Sequence, residues 1–329
     1  MAFHKKIKAN SSANTGFGSN ASNYGGRLLN KDGRPNIRKT GLGVFERFSW
    51  FHSMLSFSRI KFFLIIICFF IGINLFFTVI YYIAGTAHLA GMNTNSTWER
   101  FSEAFFFSSQ TFTTVGYGRI SPVGFMASAI AAFEALIGLM SFALVTGLLY
   151  GRFSRPKAFL KFSENALIAP YRGGTGLMIR LAPFKNTMLT DAEAKVTLAL
   201  IIDESGNTAN RFYTLDLELP AVNALTLSWT LVHPITEDSP IYNFTKEDFA
   251  NATGEIIVYV KAFDDMFSNT VITRTSYTFD ELVFGAKFIP MFHRDEREQV
   301  TVLDLDKLND FEKAELPEPV IAEDQKLLL

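Results

Sequence analysis

The sequence predicts a two-span α-helical membrane domain followed by an all-β sandwich. Three observations carry that prediction. Two long apolar runs, residues 62–83 and 123–151, hold a single charge between them, Glu134. A glycine-punctuated stretch, Thr114-Val115-Gly116-Tyr117-Gly118, lies between the runs behind a short segment of helical texture. From about Phe159 the pattern changes to short alternating segments separated by turn residues, as expected of sandwich strands.

Bulk properties set the outer limits. The 329 residues suffice for two or more domains, and a formal net charge of −1 draws the chain toward neither nucleic acid nor an acidic substrate. The 34 phenylalanines suit lipid contact. A single cysteine, Cys68, excludes an internal disulfide and a cysteine-rich zinc site, and is expected to be a small buried hydrophobe.

Residues 1–40 are rich in Asn, Ser, Gly, Lys and Arg, have no period, and read as mobile. They lack the apolar core of a secretory signal. Residues 44–60 mix Phe45, Phe48, Trp50, Phe51, Leu55 and Phe57 with Glu46, Arg47, His52 and Arg59, the texture of a helix lying in the membrane interface. A plain extension of the next helix is the competing reading. The membrane domain proper covers 61–152. Its first span, 62–83, is uncharged and 22 positions long; at ~1.5 Å per residue it reaches about 33 Å, enough to cross a bilayer core. The second span, 123–151, contains Gly138 as a flex point. Eleven Lys/Arg precede Phe62, two (Arg100, Arg119) separate the spans, and Arg152, Arg155, Lys157 and Lys161 follow. That bias puts both termini in the cytoplasm. The β domain is expected over 153–312, with a short helix at "TKEDFANA", and an acidic loose tail over 313–329.

The stretch between the spans poses a physical problem. Residues 98–118 are too short to span and run back toward the membrane centre. Non-helical backbone at that depth must be buried in protein or line water. Carbonyl oxygens turned inward together can replace a cation's water shell. Turning successive carbonyls the same way needs alternating backbone conformations with positive φ, which glycine adopts cheaply. Val115 and Tyr117 would then point outward as a packing cuff, and the Thr114 hydroxyl would add an oxygen at the inner end. One chain supplies a quarter of such a ring, so four copies must surround the axis.

These residues resemble the inward-rectifier potassium channel family, in its bacterial branch. The resemblance runs from "KDGRPNI" (Lys31–Ile37) to about residue 310. "FFFSSQTFTTVGYG" is similar to the family's pore helix and filter, "RFSRP" (Arg152–Pro156) to its junction below the second span, and "NALIAPYRGGTGLMIRLA" and "VHPITEDSP" to its cytoplasmic domain. The resemblance implies a homotetramer in the cell inner (plasma) membrane. It also implies an immunoglobulin-like sandwich to which residues 31–37 add a strand. Potassium ions are then the transported substrate, held at Thr114, Val115, Gly116 and Tyr117, and no cofactor is needed. The absence of the cysteine pair that animal members carry around the filter favours the bacterial branch.

Departures from the family pattern carry information. Gln110 stands where many members have Glu, and Arg119 where bacterial members commonly have an acid; both positions support the filter. Strong rectifiers place acids where this chain aligns Phe142 and Arg211, so weak rectification is expected, because cationic blockers need those carboxylates. A gate is expected on the stripe Phe142, Thr146 and Tyr150, spaced i, i+4, i+8; packing against helices or lipid is the alternative. Arg152, Arg155 and Lys157 form a basic cluster suited to anionic headgroups, although the further bases of lipid-activated members are replaced here by Ala158 and Phe159. Simple positive-inside orientation is the competing reading of that cluster. Glu134 either faces the water-filled cavity or braces the pore helix near Gln110. His233 is expected to be a satisfied structural histidine.

Other classes explain less. No nucleophile elbow, P-loop or H-E-x-x-H supports an enzyme. A membrane-anchored β-sandwich adaptor leaves the filter sequence unaccounted for. A two-span potassium channel with another gating ligand, such as one with a nucleotide-type domain, calls for βαβ patterning after the second span. A voltage-gated relative needs an Arg-repeat helix, which is missing.

Overall fold

A computed structural model describes residues 27–41, 43, 49–93, 96–204 and 207–317. The chain divides into two compact units, 39–155 and a second built from residues up to Arg38 together with Pro156 onward.

The first unit is helical. The short α1 (Trp50–Ser56) is capped by Ser49, whose side chain accepts the His52 amide. It stops at Phe57, whose backbone is extended, and Ser58 then caps α2 (Arg59–Ala84) by accepting from the Lys61 amide. The interfacial helix expected over 44–60 is therefore seven residues long and separate from the span, because Ser58 restarts the helix; residues 44–48 lie outside the described residues. α2 ends at Gly85, which adopts φ 102°. A 3-10 turn leads to Leu89–Ala90, which pairs antiparallel with Ser121–Pro122. Between them stands α3 (Thr97–Phe112), and α4 (Phe125–Phe153) follows. α2 and α4 are long and apolar enough to cross a membrane.

Most of both long helices is exposed in the single chain, as an apolar surface facing lipid or other copies requires. The buried residues form narrow stripes. On α2 they include Asn74, Thr78 and Tyr81, spaced i, i+4, i+7; on α4 they are Ala127, Ala131, Glu134 and Gly138. Small residues on α4 let the helices approach closely. Cys68 lies off the buried stripe of α2 and is exposed rather than buried.

The second unit is a β-sandwich. One five-stranded sheet places Leu189–Glu204 between Gly254–Asp264 on one edge and, on the other, Asn207–Leu215 and Ala221–Leu225; Asn269–Thr278 pairs with Gly254–Asp264. The second sheet centres on Gly174–Pro183, flanked by Trp229–Ile235 on one side and by Ala166–Tyr171 and Leu160–Phe162 on the other. Period-2 alternation puts Val196, Leu198, Leu200, Ile256, Val258 and Val260 from one sheet against Leu177, Ile179 and Leu181 from the other. Each such side chain contributes about 1.5–3 kcal/mol on burial. One pair departs from the antiparallel pattern of the others: Leu282–Phe284 runs parallel to Ala166–Ile168, which a segment returning from the opposite sheet permits. The short helix α5 (Lys246–Asn251) forms where "TKEDFANA" predicts it, fixed by a capping box between Thr245 and Asp248.

The expected strand at 31–37 does not form. The chain makes a tight turn with one bridge, Leu29 to Pro35, because Gly33 adopts φ 78° and Pro35 has no amide to offer. The turn is docked on the sandwich by side chains. The fully buried Glu255 accepts the Leu28 and Leu29 amides at 2.6 and 3.1 Å, and Arg27 and Lys31 both pair with Glu281. Of residues 1–40, expected to be mobile, 27–31 take part in this docking and 1–26 lie outside the described residues; of the tail expected to be loose over 313–329, Lys313 closes the strand Phe311–Lys313, which pairs with Ala286–Phe288, and residues from 318 lie outside the described residues.

Candidate ion-conduction site

The site is assembled from the inner end outward. α3 ends at Phe112, and its last carbonyls turn back on the following chain. The Gln110 carbonyl accepts the amides of Val115 at 2.9 Å and Gly116 at 3.3 Å, and Thr111 accepts that of Thr114 at 3.0 Å. Beyond this, positive φ recurs at every second residue: Thr114 at 59°, Gly116 at 53° and Gly118 at 81°. This is the alternation that an inward-facing carbonyl column requires. Two of the three positions are glycine; the third, Thr114, adopts the left-handed region without glycine's freedom, a strained conformation held by the hydrogen bonds around it. Val115 and Tyr117 are 53% and 80% exposed in the single chain, so the cuff they were expected to form needs other copies to cover it.

The outer end is tied down separately. The Arg119 guanidinium sits 2.9 Å from Glu103 on α3. The Arg119 carbonyl is closely overlain by Gly91, where a Cβ would lie 1.9 Å away. Ser121 and Pro122 then pair with Ala90 and Leu89.

Glu134 is fully buried. Tyr81 of α2 donates to its Oε2 at 2.7 Å, and Ser108 of α3 donates to its Oε1. The Ser108 hydroxyl also lies 3.2 Å from both the carbonyl and the side-chain oxygen of Asn74. This geometry is that of a brace between three helices, meeting α3 at Ser108, two residues before Gln110, and it leaves Glu134 no cavity exposure. Gly138, expected to be a flex point, sits one turn on at a point of contact: an added Cβ would lie 1.9 Å from the Phe112 carbonyl. Asn74, Tyr81, Ser108 and Glu103 did not stand out in the sequence. Polar residues at helical spacing within an apolar run, here Asn74, Thr78 and Tyr81, were the available signal.

Further down α4 the Phe142, Thr146 and Tyr150 side chains are all exposed in the single chain, Phe142 at 73% and Tyr150 at 75%. Arg152 is engaged rather than free: its guanidinium donates to the Met54 and Phe57 carbonyls at 3.3 and 2.6 Å and lies over the Phe62 ring. A cation at the C-terminal carbonyls of α1 is also favoured by the helix dipole. Arg155 and Lys157 are exposed. In the sandwich His233 is buried with both ring nitrogens bonded, Nδ1 to the Asp216 carbonyl at 2.6 Å and Nε2 to the Ser239 hydroxyl at 2.7 Å. Among the described residues no group of acids, histidines and cysteine forms a metal site.

Comparison with known proteins assigns the chain to a family. The family model described as the inward rectifier potassium channel C-terminal domain matches residues 160–327, and the one described as ion channel matches 68–155. The chain is 33% identical over 271 residues to inward rectifier potassium channel Kirbac3.1 of Paramagnetospirillum magnetotacticum, covering 81% of this chain and 89% of that one. It is 29% identical over 198 residues to inward rectifier potassium channel irk-1 of Caenorhabditis elegans, covering 56% of this chain and 36% of that longer protein. These relatives are channels rather than enzymes. An apolar helix, the short α3, a second apolar helix and the sandwich follow one another along the stretches those matches cover, and the chain belongs to the inward-rectifier potassium channel family.

Proposed function

We propose that four copies of this chain surround one axis and conduct potassium passively through carbonyl oxygens of Thr114, Val115, Gly116 and Tyr117. The observation that carries the reading is the positive φ at Thr114, Gly116 and Gly118, on a segment whose cuff residues stay exposed until neighbours cover them. Ions shed water onto these oxygens. The C-terminal end of α3 leads directly into Thr114, and its partial negative charge favours a cation there. The relatives that carry the family name support the same cargo.

The gate lies on the Phe142, Thr146 and Tyr150 stripe of α4, whose side chains are open to a shared axis. Movement there is transmitted to α1 through Arg152, which holds both helices. Arg155 and Lys157 offer charge to anionic lipid. Both termini face the cytoplasm, by the excess of Lys/Arg before the first span and after the second. Rectification is weak, because Phe142 and Arg211 stand where a cationic blocker needs acids; steep, voltage-dependent block of purified channels by spermine would contradict this.

The decisive test is flux from liposomes holding the purified protein. Rubidium uptake well above sodium uptake is expected. Equal leakage of both ions, or a dimeric particle, removes the reading.

A further inference from the structure

Near its C-terminal end the sandwich runs its chain toward an apolar groove. Phe311–Lys313 pairs antiparallel with Ala286–Phe288, and Lys313 stands opposite Ala286. The next step keeps the same direction, since the Ala314 amide donates to the Gly285 carbonyl at 2.8 Å. Leu316 is half-buried and packs against the main core of the sandwich. Carried on in this register, the chain passes Phe284 and Val283 to Leu282. Leu282 and Phe284 line a groove of about 690 Å³ together with Phe249 of α5 and Phe279. The Phe249 ring lies 5.0 Å from that of Phe279 and 5.5 Å from that of Phe284. Lys246 and Arg27 line the groove as well, but so do Asp280 and Glu281, so net charge does not select its occupant. The Arg27 Nε is enclosed and has no acceptor among the described residues, although a terminal nitrogen of the same guanidinium pairs with Glu281.

We propose that residues 318–324 of this same chain occupy the groove and continue the edge of Leu282–Phe284. Their sequence, Glu318-Pro319-Val320-Ile321-Ala322-Glu323-Asp324, suits that course. Pro317 and Pro319 hold the residues before them extended, so the chain keeps its direction instead of coiling back. Four extended residues beyond Pro317 reach about 13 Å, enough to carry Ile321 across the three rings. Val320 and Ile321 then bury apolar surface on Phe249, Phe279 and Phe284, and a tail carboxylate accepts from the Arg27 Nε. The occupant is the chain's own tail because the backbone up to Pro317 already heads along the groove wall, with Leu316 as its first anchor. Docking of the tail also bears on the other end of the unit, since Arg27 begins the turn that Glu255 holds through the Leu28 and Leu29 amides.

The test uses the full-length protein carrying Cys68→Ser, which removes its one native thiol. Ala250→Cys, at an exposed position on the groove, is combined with Ala322→Cys, and the pair is treated with a short bis-maleimide. A cross-link within one chain is expected, identified as a joined peptide from a band of single-chain mass. Val320→Asp should lower its yield about tenfold, because a carboxylate buried among rings is strongly disfavoured; a tail merely tethered nearby keeps its yield. Hydrogen exchange gives an independent reading. Ending the chain at Pro317 should speed exchange of the amides of 279–284 about tenfold and leave those of 196–200 unchanged. If that truncation loosens the whole sandwich, 196–200 speeds up as well, and Val320→Asp in the full-length chain then carries the comparison. The proposal is overturned by the absence of a cross-link, by a yield indifferent to Val320→Asp, or by exchange over 279–284 that neither variant alters. A cross-link formed only between chains also overturns it, by giving the groove to a neighbour's tail.

Discussion

Replacing Glu134 separates a cavity charge from a brace. In the brace geometry the carboxylate receives two hydroxyl hydrogen bonds, from Tyr81 and Ser108. Glu134→Leu keeps the volume and removes both acceptors. Ser108 retains oxygens of Asn74 at 3.2 Å, so the cost falls on the buried Tyr81 hydroxyl, about 1–3 kcal/mol for one unsatisfied group. Within a bilayer the lower end applies, because the separated helices also find partners. The expected loss is thus ~1 kcal/mol per subunit, or a melting temperature lower by a few degrees. Tyr81→Phe should cost a similar amount and should not add to Glu134→Leu. Glu134→Gln keeps an acceptor for Tyr81 and turns its amide toward Ser108, so it should melt within a degree or two of the parent. Its rubidium flux should remain within about twofold. The assays are thermal melting of the purified particle and liposome flux. A Gln variant that melts normally yet conducts several-fold less would refute the reasoning, because only a charge exposed to permeating ions would produce that pair of results.

Three further outcomes are expected. Gly138→Ala places a Cβ 1.9 Å from the Phe112 carbonyl, a backbone atom that cannot step aside cheaply; overpacking of about 1–3 kcal/mol should displace the end of α3 and abolish selective flux, and a variant with parental flux and melting temperature would show that the glycine serves flexibility instead. Arg155→Gln with Lys157→Gln should flatten the dependence of flux on anionic lipid in the vesicle, while Arg152→Gln should leave that slope intact and lower the melting temperature, since its guanidinium is spent on the Met54 and Phe57 carbonyls; the reverse pattern would restore Arg152 to the lipid site. For His233, burial lowers the ring below its ordinary value of 6.5, against the opposing pull of the Asp216 carbonyl. The unfolded chain therefore binds the extra proton first, so stability is lost as pH falls below about 6.5 and stops falling once the folded ring is protonated. His233→Gln should remove that part of the pH dependence in melting of the whole protein, and an unaltered profile would exclude the histidine as its source.

The amino-acid sequence by itself determined the features written in local pattern. Runs of apolar residues define α2 and α4, glycines at alternate positions set the backbone alternation after α3, and period-2 alternation defines the sandwich strands, because each depends on neighbours within a few residues. Its reach failed where a side chain's partner is distant. Glu134 meets Tyr81 and Ser108 across sequence separations of 53 and 26, Arg152 meets α1 across 95 and 98, and Glu255 meets Leu28 across 227. Composition marks those residues as charged but not as spent. The turn that replaced the strand at 31–37, and the pairing of Arg119 with Glu103, were decided in the same way. A hydrogen bond or ion pair needs atoms within about 3 Å, and only the packed chain brings residues so far apart in sequence that close.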